Sequence, residues 1–278
     1  MKKILVAFLA FLALMFSCKG NKTEGTETLP TDSDSIQDTV AVDTMEQLIS
    51  ETPMPKAADE LFDDFFFNFA ANRKLQQKRI KFPLEVTRGG KIDTLSKAKW
   101  KTDHFFMRQG FYTLIFDNRR QMNVVKDTSI NHVVVEKITF GIKTVKQYVF
   151  DRIGGLWTMQ SINYRPLYQN RNASFLTFYE KFVTDSTFQA ESINDPVRFS
   201  GPDPDDDFSQ MEGLLTPETW PAFAPELPKE TIYNIIYGED SKPGNQKIFV
   251  LRGIANGLEM ELTFKRQGDK WLLTKLSE

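Results

Sequence analysis

The sequence predicts an α+β fold laid down twice in one chain, and three observations carry that prediction. Phe62, Phe65 and Phe69 return 113 positions later (175 minus 62) as Phe175, Phe178 and Phe182, and Gln76, Ile80 and Pro83 return at the same offset as Gln189, Ile193 and Pro196. Near the end of each copy the offset is 114 (264 minus 150): Phe150, Arg152, Gly154 and Trp157 become Phe264, Arg266, Gly268 and Trp271. Within each copy one helical apolar stripe is followed by consecutive strand-like runs, which is the order of an α+β fold and not of alternating βα units.

The segment ahead of the repeat predicts where the protein works. Lys2 and Lys3 precede an apolar run from Ile4 to Phe16. That run is shorter than the roughly 20 residues a membrane-spanning helix needs, and it suits a secretory signal peptide over residues 1–17. Cys18 is the only cysteine of the chain, so no internal disulfide can form. Leu14-Met15-Phe16-Ser17-Cys18 resembles the relaxed lipobox of Bacteroidetes lipoproteins. The resemblance implies a diacylated Cys18 as mature N-terminus and attachment to a membrane through the lipid. Residues 18–54 form an acidic tether, with Lys19 and Lys22 as its only cations and few large apolar side chains. Such a segment cannot bury enough apolar surface to offset its ordering entropy and is expected to be disordered. The protein is therefore expected to be exported and lipid-anchored to the cell envelope, on the periplasmic face or the outer-membrane surface.

Each copy then reads in the same order. Leu61, Phe62, Phe65, Phe66 and Phe69 fall at helical spacing, as do Phe175, Phe178, Tyr179 and Phe182, so a long helix opens each copy, with Asn172 or Ser174 available to cap the second. Ile80–Val86 and the run around Pro196 predict edge strands, because proline donates no ladder hydrogen bond. Helical turns are expected around Trp100–Gly110 and Thr216–Ala224. Strands are expected at Phe111–Phe116 and Thr231–Tyr237. Long closing pairs follow, His132–Phe140 with Thr144–Phe150 and Ile248–Arg252 with Leu258–Phe264. The glycines of Arg152-Ile153-Gly154-Gly155 and Arg266-Gln267-Gly268-Asp269 then turn the chain into last strands that begin at Trp157 and Trp271. Those two tryptophans could stack on a sugar, but their matched places favour a role in each core. The join falls near Tyr168, giving domains 55–168 and 169–278.

This order of elements resembles the cone-shaped nuclear transport factor 2-like fold. The Phe-rich opening helix, Arg79-Ile80-Lys81-Phe82-Pro83 and Phe150-Asp151-Arg152-Ile153-Gly154-Gly155-Leu156-Trp157, behind a lipobox, resemble a family of uncharacterised Bacteroidetes lipoproteins assigned to that fold. The resemblance implies two tandem nuclear transport factor 2-like (cystatin-like cone) domains, each a long N-terminal helix on a curved antiparallel sheet. It implies no activity.

Charge separates the copies. Residues 55–168 hold 20 Lys and Arg against 11 Asp and Glu, while residues 169–278 hold 11 against 18. Such an asymmetry can steer one half toward the other as a pseudo-dimer, or the basic half toward an anionic partner. His104 and His132 are the only histidines and are not spaced as a metal pair, and no HExxH, CxxC or phosphate loop occurs. Asp203, Asp205 and Asp207 alternate as in a calcium loop, but Phe208 stands where glycine is needed and Leu214 where the bidentate glutamate is needed. No metal, no cofactor and no nucleic acid are expected. In the first copy His104, Asp103, Tyr112 and Tyr148 are candidates for acid/base chemistry, and the second copy has no matching set. The expectation is a non-catalytic protein that binds a small apolar ligand or an envelope partner. The alternatives are a small-cavity isomerase or dehydratase and a purely structural interaction module.

Overall fold

The computed structural model describes residues 54–278, apart from 204–205, 239–243 and 255. The signal segment, Cys18 and the tether up to residue 53 lie outside the described residues. The described residues form one unit.

Each phenylalanine stripe forms a helix, but the one long helix expected in each half is two segments. In the first half α1 (Phe62–Ala71) stops at Asn72, and α2 (Arg73–Arg79) starts afresh. Asn72 is extended, and its side chain accepts the Leu75 N–H at 3.0 Å. In the second half Asp185 does the same between α3 (Ala173–Thr184) and α4 (Ser186–Glu191), accepting the Phe188 N–H at 2.9 Å. A side-chain cap competes with continuing the helix, so the expected long helix becomes two segments in each half. The expected cap on α3 is also absent. Asn172 makes no capping bond there; its Oδ1 accepts from Lys247 Nζ at 2.6 Å.

Six strands follow α2: β1 (Ile80–Arg88), β2 (Lys91–Leu95), β3 (Phe111–Phe116), β4 (His132–Thr139), β5 (Thr144–Ile153) and β6 (Leu156–Pro166). Six more follow α4: β7 (Ile193–Asp203), β8 (Asp206–Leu215), β9 (Thr231–Tyr237), β10 (Gln246–Gly253), β11 (Glu259–Gln267) and β12 (Lys270–Ser277), with the one-turn α5 (Trp220–Phe223) between β8 and β9. All belong to one sheet in the order β2-β1-β6-β5-β4-β9-β3-β10-β11-β12-β7-β8. The third strand of each half has therefore changed places. β9 pairs antiparallel with β4, β3 pairs antiparallel with β10, and β3 meets β9 in parallel at Thr113 and Asn234.

The edge-strand expectation is corrected here. β1 lies between β2 and β6, and β7 between β8 and β12, so the proline strands are interior and β2 and β8 are the edges. The missing proline N–H is accommodated by a break in pairing: the parallel ladder to β6 jumps from Ile80 to Glu85, and that of β12 to β7 jumps over Pro196. Both prolines follow cis peptide bonds.

Because side chains alternate across a strand, one sheet carries a core on each face. Phe62, Phe65, Phe66 and Phe69 of α1 pack with Leu114, Tyr148, Phe150 and Trp157, and also with Tyr233, Ile235 and Tyr237 of β9. Phe175, Tyr179 and Phe182 of α3 pack with Phe249, Phe264 and Trp271, and also with Ile115 of β3 and Ile138 of β4. The two tryptophans are core residues: Trp157 meets Phe62 edge-on at 5.0 Å and Trp271 meets Phe175 at 5.6 Å. Among the described residues no helix is long and apolar enough to cross a membrane.

Candidate functional site

A glutamine positions the same loop in both halves, wholly buried in the first and half-buried in the second. Gln76 is wholly buried; its Nε2 donates to Phe69 O at 3.0 Å and its Oε1 accepts from Trp100 Nε1 at 3.1 Å. Gln189 repeats this with Phe182 O at 3.0 Å and Trp220 Nε1 at 3.0 Å. In the first half Gln76 also holds the backbone of Asp103, donating to its carbonyl at 2.8 Å and accepting its N–H at 3.2 Å. That fixes Asp103 on the face of the sheet that carries α1.

Asp103 is one wall of a cleft of about 550 Å³. Tyr148 donates a short hydrogen bond to Asp103 Oδ2, Lys146 Nζ stands 3.2 Å from the same oxygen, and the Phe105 N–H donates to Oδ1 at 3.0 Å. Burial pushes the Asp103 carboxyl up, but Lys146, Tyr148 and the Phe105 N–H outweigh it and hold it below the ordinary carboxylate range. Burial, reinforced by the Asp103 charge, pushes the Tyr148 phenol far above its ordinary value. The pair is an ionised carboxylate beside a neutral phenol, and neither titrates near neutrality as an acid/base pair requires.

The rest of the lining is cationic and aromatic. Arg88, Lys99, Lys101, Arg108, Lys137 and Lys146 all border the cleft, against the single carboxylate of Asp103. The Arg88 guanidinium lies 4.3 Å from the Tyr164 ring centroid, Lys146 Nζ 4.3 Å from that of Tyr148, and Lys137 Nζ 5.6 Å from that of Tyr233. Of the candidates named from sequence, Asp103, His104 and Tyr148 are brought together here. Tyr112 is not. It lies with Tyr237 on the Asp63 carboxylate, its hydroxyl 3.4 Å from Oδ2, while Tyr237 donates a short bond to Oδ1. Burial raises the Asp63 carboxyl against the pull of Tyr237, Arg252 and Tyr112. This cluster ties α1 to β9 of the other half. His132 pairs with Asp151 at 2.7 Å, away from the cleft.

The same place in the second half is apolar. Counting from the paired tryptophans and along the paired strands, Val86, Arg88, Asp103, Lys137, Lys146 and Tyr148 correspond to Phe199, Gly201, Phe223, Leu251, Met260 and Leu262. The Phe199 ring lies across Gly201, where any Cβ would meet it at 2.7 Å, and reaches the Phe223 ring at 5.8 Å. Sequence reasoning missed Lys137 and Lys146. Their signal was a charge at the inward parity of strands whose other inward residues are Val133, Val135 and Phe150.

Among the described residues no group of three His, Cys, Asp or Glu side chains gathers as a metal site. Of the aspartate run, Asp203 accepts from Ser209 Oγ at 3.2 Å, and Asp205 lies outside the described residues.

A second polar group is buried on the opposite face of β4. Glu136 is 1 % exposed and accepts from Gln147 Nε2 at 2.9 Å, Asn170 Nδ2 at 2.8 Å and Asn234 Nδ2 at 3.4 Å. Burial outweighs these donors and raises its pKa. Asn234 Oδ1 is buried with no donor. Protonating Glu136 and turning the Asn234 amide gives that oxygen a donor, since the acid O–H then donates to Asn234 Oδ1. A carboxyl with a raised folded pKa stabilises most below its unfolded value near 4.5, and that stability is lost as pH rises through the folded value. Glu136→Gln supplies the donor permanently. It is expected to raise stability at pH 8 by about 1–3 kcal/mol, the cost of one unsatisfied buried group. Equal or lower melting of the variant at pH 8 than at pH 5, relative to wild type, rules this out.

Comparison with known proteins places the chain. Residues 41–278 match the family described as Domain of unknown function (DUF4348). The crystal structure of an NTF2-like protein from Bacteroides fragilis NCTC 9343 is 42% identical, covers 81% of this chain and 98% of its own, and superposes with a TM-score of 0.73. That likeness supports an α+β fold with a sheet. No curated protein matches.

Proposed function

This chain belongs to the DUF4348 family, and from that premise we propose that it is a lipid-anchored, non-catalytic ligand-binding protein of the cell envelope. In this reading it consists of two tandem NTF2-like domains, each with its helices on a curved sheet that is antiparallel except where β1 meets β6 and β7 meets β12, joined as a pseudo-dimer by their exchanged third strands. Cys18 carries the lipid, the acidic tether spaces the body from the membrane, and the ligand occupies the first-half cleft.

One observation carries the choice of site. The duplicated scaffold keeps its glutamine–tryptophan bracket in both halves, yet opens a polar cleft in one and sets apolar Phe199, Phe223, Leu251 and Met260 at the same place in the other. Selection for folding alone has no need of such a difference. The size falls within the range of small-molecule sites. Its cations suit a purely apolar ligand poorly, so the ligand carries polar groups. The ionised Asp103 and neutral Tyr148 favour binding over acid/base catalysis.

The test blocks the cleft without altering its charge. Thr102 lines it and is half-buried. In a Cys18→Ser background, Thr102→Cys labelled with a bulky neutral maleimide is expected to abolish the ligand-induced rise in melting temperature found by screening metabolites on the unlabelled protein. A rise that survives labelling places the ligand elsewhere. For the anchor, labelled palmitate is expected on the wild-type chain, and Cys18→Ala is expected to release the protein from membranes; equal membrane retention of that variant refutes the lipid link.

A further inference from the structure

We propose that the ligand of this cleft is a small soluble polyanion, a phosphate or sulfate ester with at least two negative charges, held between two tiers of cations. The inference rests on the reading of the cleft as the ligand site and adds the chemistry that the site selects.

The floor tier is Lys137 and Lys146. They are direct cross-strand partners in the β4–β5 ladder, on the face that carries α1. Like charges placed directly opposite destabilise a sheet. Lys146 has Asp103 at 3.2 Å, and among the described residues Lys137 has an aromatic ring but no carboxylate. Both are half-buried, so neither is fully relieved by water. The second half uses Leu251 and Met260 at this pair of positions, so the scaffold has no structural need for the lysines. The rim tier is Arg88, Lys99, Lys101 and Arg108, all exposed. Arg88 is already oriented by stacking on Tyr164.

Two tiers at different depths match a molecule with separated anionic groups better than a single small ion. Trp100, Tyr164 and Tyr233 border the same cleft, and the half-buried Tyr164 offers ring surface, which suits a sugar or other ring as the body of the ligand. The concave shape favours a molecule that enters over a flat membrane surface that cannot. Low-dielectric walls lined by one sign of charge also concentrate anions and speed their capture.

Calorimetric titration of the full chain in detergent tests this, with inorganic tripolyphosphate, glucose 6-phosphate and glucose as probes. Saturable binding of tripolyphosphate is expected, with glucose 6-phosphate weaker and glucose absent, and the affinity should fall steeply as added salt shortens the screening length. Lys137→Gln, which the second half's Leu251 shows the scaffold can bear, is expected to weaken tripolyphosphate at least about tenfold, or 1.4 kcal/mol. Arg88→Gln on the exposed rim is expected to weaken it about threefold, and Lys265→Gln, an exposed charge on β11, by less than about twofold. The same loss in Lys265→Gln as in Lys137→Gln would mean diffuse attraction and overturns the proposal. So does the absence of saturation by about 5 mM tripolyphosphate, or binding only to vesicles containing phosphatidylglycerol. Glucose bound as tightly as its phosphate, and lost on blocking the cleft, overturns the polyanion while leaving the cleft as the ligand site.

Discussion

Expressed separately, residues 54–168 and residues 169–278 are each expected to lack a cooperative unfolding transition, and mixing them in equal amounts should restore one. The reason is the exchanged strand. β3 has no sheet partner in its own half: it pairs with β10 from Phe116–Ile248 to Phe111–Gly253 and touches β9. β4 has lost its outer neighbour as well, since Val133 to Thr139 pair with Tyr237 to Thr231. Cutting the chain strips both edges of β3 and uncovers its Ile115 face, while Tyr112, Leu114 and Phe116 keep the first core beneath them. It also removes Tyr233, Ile235, Tyr237, Ile248 and Val250 from the first core and Ile115, Ile138, Phe140, Val145 and Leu167 from the second. Burying one such side chain is worth about 1.5–3 kcal/mol, and a domain's whole stability is about 5–15 kcal/mol. Five lost from each core match all that either half has to spare. Exposed, unpaired apolar strands would instead drive association. Circular dichroism melting and sedimentation of the fragments decide the matter; a monomeric first half with a sharp transition of its own would refute the exchange.

Much of the local structure was legible because it depends on local periodicity. The phenylalanine stripes marked α1 and α3, and the runs at 111–116 and 231–237 have the bounds expected of them. Strand order was not legible. β3 and β9 are both apolar on two faces, so either could sit beside either fourth strand, and nothing within six or seven residues records which one does. Pro83 misled for a related reason: a missing donor implies an edge only if the ladder is otherwise complete, and here the ladder is broken at that point. The site was half legible. Asp103 and Tyr148 stood out as polar groups near aromatic runs. Tyr112 was grouped with them by type, although strand parity and β9 carry it to Asp63. Lys137 and Lys146 became informative only beside Leu251 and Met260, because a lysine in a half rich in lysine and arginine draws no notice until its copy is apolar.

Replacing Lys247 is expected to cost the most of any single polar substitution, because it undoes the linker between the halves. Three consecutive linker residues each bond a different part of the sheet. Asn170 donates to Glu136 of β4, Arg171 approaches Asp117 after β3 at 3.2 Å, and Asn172 accepts from Lys247 of β10 at 2.6 Å. Lys247 is 2 % exposed and also donates to Asp117 Oδ1 at 2.5 Å, where the Gly244 N–H donates at 3.0 Å. Lys247→Met keeps the length and apolar stem but leaves Asp117 with less compensation and Asn172 Oδ1 without its ammonium donor. Removing one partner of a buried pair costs about 3–5 kcal/mol. Its pH dependence identifies the cause. Burial pushes the Asp117 carboxyl up, but the Lys247 and Gly244 hydrogen bonds and the Lys247 and Arg171 charges outweigh it and hold it below 3.8. A depressed folded pKa contributes stability that is present above the unfolded value and is lost as pH falls through the folded one. The deficit of Lys247→Met against wild type should therefore be full at pH 6–7 and shrink below about pH 3.8, as protonation removes in the wild type what the substitution removes in the variant. An Asp117→Asn, Lys247→Met double variant should recover part of the loss, since no carboxylate is then left facing a missing cation. A single-variant deficit below about 1 kcal/mol, or one that does not change between pH 6 and pH 3, would show that the linker is held by packing and not by these charges.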